Sequence, residues 1–70
     1  MRLVIKGNRN DAEQAAMLHG ITELSFIDEN KGQTILETDC FNRGAAIKWF
    51  IESPNHGPFA VGTLLWYSDK

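Results

Sequence analysis

One cysteine, two prolines and a single tyrosine stand among 70 residues. The lone Cys40 cannot close an internal disulfide, and no paired Cys/His spacing is present to seat a structural zinc. A bilayer span takes roughly 20 consecutive apolar residues, and no run here approaches that. Basic charge is scarce as well: seven Lys and Arg against nine Asp and Glu leave a net charge of -2. That balance argues against a nucleic-acid partner, which calls for a basic excess. Residues 1–7 are too short for the apolar core of a secretion signal. With an unpaired thiol, they point to a reducing, cytoplasmic setting and to no membrane partner.

Length sets the next bound. The chain has room for one domain, residues 1–70, with no linker, and at this size it buries roughly 60% of the surface its unfolded form exposes. Small domains compensate with disulfides, a metal or a second subunit. The first two are missing, which leaves close packing and self-association, so a homodimer is one expectation.

What the chain does hold is a sequence of changing periodicities. Leu3-Val4-Ile5 between Arg2 and Lys6 alternates as a strand, with Leu3 and Ile5 on one side and Arg2, Val4 and Lys6 on the other. Asn10, with Glu13 three residues on, forms a capping-box start for a helix that reaches about His19 and stops at Gly20, with Ile21 folding back. Ala12, Ala15, Ala16 and His19 share its inner face, with Leu18 beside them. Residues 23–27 alternate as a half-buried strand. Residues 28–32 make a polar turn into a strand over 33–38. A second helix starts after Asp39 or Asn42, with Ala46, Ile47 and Phe50 as its inward stripe and Trp49 and Ile51 on the flanks. Ser53-Pro54 ends it, residues 54–58 form an irregular loop, and 62–68 make a last, aromatic-rich strand.

This β-α-β-β-α-β order resembles the ferredoxin-like superfold, a split βαβ of α+β class. The resemblance implies two helices on one face of a four-stranded antiparallel sheet, with the second and last strands at the edges. It implies little about function, since the superfold hosts many unrelated ones. Acylphosphatases of this layout use an Arg-bearing loop after the first strand, where Arg9 falls here. This chain is shorter and lacks their glycine-rich loop, so that activity is not carried over. Metal-binding members place a C-x-x-C in the same loop, and Gly7-Asn8-Arg9-Asn10 has none. Small-ligand regulatory domains of the amino-acid-sensing type share the layout and about this length.

Reactive side chains are few. Cys40 sits near the second helix's start, where the dipole lowers a thiol pKa. It would need a base, and His19 and His56 are the only imidazoles. No catalytic spacing joins them, so Cys40 reads as a small inert residue at a strand–helix junction. His19 reads as satisfied and partly buried, His56 as exposed. Residues 7–11 join a strand to a helix N-terminus, as phosphate sites do. One glycine is too few for a cradle, and Asp11 repels an anion. No catalytic residue, cofactor or metal is assigned.

The aromatics are more telling. Trp49, Phe50, Phe59, Trp66 and Tyr67 all fall in the last third. Phe59 reads as a core plug. In the last strand Leu64 and Trp66 alternate against Thr63, Leu65 and Tyr67, so one set stays on the open face near Val4 and either Ile35 or Leu36. Exposed aromatics beside apolar residues and a few charges are the make-up of protein interfaces. Base stacking on such a sheet would need a basic surround and an aromatic-glycine motif, and both are missing.

The expectation is therefore a stand-alone, non-enzymatic protein-binding module. It acts on another protein or on itself through the open sheet face and edge strands, with Arg2, Val4, Lys6, Trp66 and Tyr67 as contact residues. In size and plain chemistry it is similar to small accessory or inhibitor proteins of bacteria and their phages. The alternative is a small-ligand sensor whose pocket forms at a dimer interface.

Overall fold

Alternation in the first six residues puts Leu3 and Ile5 on one side of a strand, and both are fully buried, while Val4 and Lys6 stay half-buried on the other side. The computed structural model describes residues 1–52 and 60–68. Its elements run β1 (Arg2–Lys6), α1 (Arg9–Leu18), β2 (Ser25–Asn30), β3 (Gln33–Glu37), α2 (Arg43–Glu52) and β4 (Leu64–Ser68). The sheet order is β2-β3-β1-β4, antiparallel at every pairing, with β2 and β4 at the edges as expected. Both helices pack on one face around Leu3, Ile5, Ala12, Ala16, Ile21, Leu36, Trp49 and Leu64. This is the ferredoxin-like α+β arrangement that the order of periodicities implies. No described helix is long and apolar enough to cross a membrane. The Ser53-Pro54 stop, the 54–58 loop, His56 and Phe59 lie outside the described residues.

Helix α1 begins earlier than the Asn10–Glu13 spacing suggests. Asn8 is the cap: its Oδ1 accepts from the Asp11 N–H at 2.9 Å, and the Asp11 carboxylate accepts from the Asn8 N–H at 3.4 Å. Both asparagines have an acid three residues on, and the exit from β1 breaks the tie. Gly7 turns at φ +119°, and a Cβ there would lie 2.9 Å from Asp11 Cβ and from Val61 Cγ1. So tight a turn brings Asn8 directly to the cap position. Glu13, not needed for capping, instead pairs with Arg9 at 2.7 Å. At the other end the Gly20 N–H donates to Met17 O and the Ile21 N–H to Ala16 O, both at 3.0 Å, the Schellman closure. Ala12 and Ala16 are buried as expected. Leu18, 87% exposed, is not beside them but out in solvent.

Strand β2 extends to Asn30, past the expected end at residue 27, and the turn shrinks to Lys31-Gly32. Both turn residues have positive φ, 54° and 76°. That is the type I′ geometry whose twist matches a two-residue hairpin. A bulge at Ile27 lets Phe26 stand opposite Leu36 and Asp28 opposite Ile35. Helix α2 uses Asn42 as its cap, with Asn42 Oδ1 accepting from Ala45 N–H at 2.7 Å. Its buried residues are Ala46 and Trp49; the expected Ile47 and Phe50 are 37% and 42% exposed. The alanine face of α1 leaves room that a large ring fills, and Trp49 stacks on His19 and meets Phe41 edge-on.

Lysine is an uncomfortable occupant of a left-handed turn position, because its Cβ crowds the carbonyl. Lys31→Asn should raise stability by about 0.5 kcal/mol, read as a higher urea midpoint at unchanged slope. A midpoint that stays put or falls would show that the turn carries no strain.

Candidate protein-contact surface

The sheet face away from the helices is ordered in rows by the strand registers. Ile35 pairs with Val4 and Val4 with Trp66, while Asp28 stands opposite Ile35. One row therefore runs Asp28, Ile35, Val4, Trp66 across all four strands. On one side of it lie Ser25, Glu37, Arg2 and Ser68, and on the other Asn30, Gln33 and Lys6. Val4 and Ile35 are half-buried, and Trp66 is 54% exposed. The result is an apolar band between two polar ones, with two cations on β1 and two carboxylates on β3 and β2.

Four of the five expected contact residues, Arg2, Val4, Lys6 and Trp66, share this face. Tyr67 does not. A bulge shifts the register of β4 between Trp66, opposite Val4, and Leu64, opposite Ile5, so Leu65 is the extra residue. Simple alternation fails there: Leu64 is buried toward the helices, Trp66 faces out, and Tyr67 returns to the helix side opposite Leu3. Its ring meets Phe50 edge-on, with centroids 5.8 Å apart. Ile35 joins the open face and Leu36 the core, which settles the alternative that alternation in β3 had left open. The acids Asp28 and Glu37 were not singled out from the sequence, although the same alternation places Glu37.

The α1 N-terminus is filled by the chain's own acids. Glu29 Oε1 accepts from the Arg9 N–H at 2.9 Å, beside the Asn8–Asp11 box. The Arg9 side chain pairs with Glu13 and lies 4.5 Å over the Phe26 ring. Both features give structural uses to a loop that was weighed for phosphate binding. His19 is more exposed than expected, although one ring face is covered by Trp49, 4.2 Å away. A groove of about 210 Å³ is lined by Leu18, His19, Trp49 and the 60–63 segment. It falls short of the roughly 300–1,000 Å³ of small-molecule pockets. A polar cleft of about 360 Å³ holds Glu23, Glu37 and Asp39. Among the described residues no cluster of His, Cys, Asp or Glu is placed to hold a metal. Nor is any buried side-chain polar atom there without a partner.

Comparison with protein-family models, curated proteins and solved structures returns no match. The functional reading therefore rests on the geometry.

Cys40 is exposed rather than tucked away as an inert apolar residue. Its sulfur lies 3.2 Å from Thr38 Oγ1 and 3.5 Å from the Glu23 carbonyl. The Thr38 hydroxyl, then the backbone around Glu23 and Thr22, holds the thiol below its ordinary pKa. Thr38 has one proton and gives it to the Glu23 carbonyl at 2.6 Å. A thiolate competes for that proton. Alkylation by iodoacetamide should therefore rise through a lower pH midpoint in the folded protein than in urea. Thr38→Val should move the folded midpoint up, and Thr38→Ser should keep it. A folded midpoint at or above the unfolded one would refute this.

Proposed function

We propose that this protein is a non-enzymatic contact module that binds a protein partner through the open sheet face. The observation that carries the reading is the position of Trp66. It stands 54% exposed at the end of an apolar row whose backbone is held by hydrogen-bonded strands. A large ring on a rigid support loses little entropy when a partner covers it, so it makes an efficient anchor. Val4 and Ile35 extend the apolar patch, and Arg2, Lys6, Glu37 and Asp28 give it a polar rim. The small-ligand alternative draws less support, since the groove between the helices is small and the larger cleft at Glu23, Glu37 and Asp39 is lined by polar groups rather than the apolar walls of a ligand pocket.

A photo-reactive residue at Gln33, on this face, should give discrete cross-linked species in cells of the source organism, and one at Gln14 on α1 should not. Trp66→Ala should abolish the Gln33 adducts. Adducts from position 14 alone would overturn the reading. Two stability measurements sort the neighbouring aromatics. Trp66→Ala should cost about 1 kcal/mol or less, because its ring rests on the surface. Tyr67→Ala should cost about 2 kcal/mol or more, because it packs against Phe50 and the core. Equal losses in urea unfolding would show that the two rings are not on different faces.

A further inference from the structure

The geometry points to a second copy of this chain as the occupant of the open face, related by a two-fold axis lying between the sheets and running near the strand direction. The inference rests on the reading of that face as a contact surface and names its partner.

The registers make the case. The open-face charges divide by strand: Arg2 and Lys6 on β1, Glu37 on β3, Asp28 on β2. Two sheets packed in the aligned class keep their strands within about 30° and leave two simple two-fold axes in the interface. An axis along the strands, through the sheet centre, exchanges left and right while keeping each row level. It lays β1 over the partner's β3 and β4 over the partner's β2. Arg2 then meets Glu37, Val4 meets Ile35, Lys6 meets Gln33, and Trp66 meets Asp28 at the edges of the interface. No like charges meet. An axis across the strands exchanges the upper and lower rows instead. It sets Arg2 against Lys6 and Asp28 against Asp28, which is repulsive at both places. The face is therefore self-complementary under one isologous arrangement and frustrated under the other. With two cations and two carboxylates the paired rows are nearly neutral, although Glu37 also borders the cleft that holds Glu23 and Asp39.

The size of the face sets the strength. Four strands at about 4.8 Å spacing and five residues of length give a face of roughly 19 by 17 Å, hence roughly 650 Å² for the two faces together, below the size of standard specific interfaces and in the range of weak, transient ones. The dimer expected is therefore weak and concentration-dependent.

The test is a charge exchange between two variants, read by sedimentation equilibrium across a concentration series. The wild type should pass from monomer to dimer. Arg2→Glu opposes two carboxylates and Glu37→Arg two cations, so each alone should weaken dimerisation at least tenfold. Mixed one to one, the two variants should form a heterodimer within a few-fold of wild-type affinity, because both contacts are then opposite in sign. An internal pairing of Arg2 with Glu37 inside one chain cannot produce that rescue. Gln33→Glu needs no charge reversal and serves if a reversal variant fails to fold. It places a carboxylate against the partner's Lys6 and should tighten the dimer severalfold, whereas the axis across the strands would set it against Glu37 and weaken it. A wild type that stays monomeric overturns self-pairing, while the contact reading is still decided separately by cross-linking from Gln33. A dimer that the mixture does not rescue, or that Gln33→Glu leaves unchanged or weakens, overturns the proposed axis.

Discussion

Strand β1 is the member on which the rest of this structure depends. It is hydrogen-bonded on both sides, to β3 and to β4, and its inward residues Leu3 and Ile5 are 1% and 0% exposed. Its ends are tied as well. The Met1 ammonium donates to Thr38 O at 2.7 Å, the Gly62 N–H to Lys6 O at 2.8 Å, and the Gly7 N–H to Gly32 O at 2.7 Å. Every one of these partners lies more than 20 residues away along the chain. Pairing both edges of the first strand therefore takes both crossovers, each carrying a helix, and each closes a long loop at an entropic cost. Thr34 shows how closely the parts are joined. Fully buried beside Ile5, it donates its hydroxyl proton to Gly7 O at 2.9 Å, so the hairpin fixes the turn that starts α1.

The element order was legible because each periodicity lasts long enough to be read. Two alternating strands, an alanine-faced helix with a glycine stop, and an aromatic last strand leave few other layouts. Side-chain facing was legible only where alternation is unbroken. It holds in β1 and β3, so Arg2, Val4 and Lys6 were placed correctly. It fails in β2 and β4, where bulges at Ile27 and Leu65 each insert a residue. One inserted residue reverses every side chain beyond it, which is why Leu64 was set on the same side of the sheet as Trp66 when the two lie on opposite faces. Nothing in Leu64-Leu65-Trp66-Tyr67 marks the bulge. It follows from fitting Leu64 into the core beside Ile5 while β4 keeps its pairing to β1.

Two other differences have a common origin. Asn8 and Asn10 were equally good caps by local chemistry, and Trp49 and Phe50 were equally good anchors by local hydrophobicity. Distant residues decided both. Glu29, on the hairpin, reaches the Arg9 N–H and belongs to the arrangement that begins the helix there. Trp49 joins Ala12 and Ala16 in one buried cluster, and the His19 ring stacks on it at 4.2 Å. Local propensity proposes several registers for a helix, and tertiary fit selects among them.

Exposed apolar residues occur on both sides of the molecule, and the two sets are not equivalent. On the helix side Met17, Leu18 and Ile51 are 67%, 87% and 67% exposed, but they stand on α1 and α2, where no strand register aligns them. On the open face Ile35, Val4 and Trp66 lie in one register-defined row across three neighbouring strands. Strands hold side chains at fixed spacing, so a partner covering that row meets a surface already ordered. Association then gives up little conformational entropy and keeps more of the favourable burial as affinity. The β4 bulge is what completes the row, by turning Trp66 outward while Leu64 remains in the core. In a 70-residue chain the core can spare few large side chains. That one of its two tryptophans is spent on the outside, in line with Val4 and Ile35, is the reason to look for function on this face rather than in the groove between the helices.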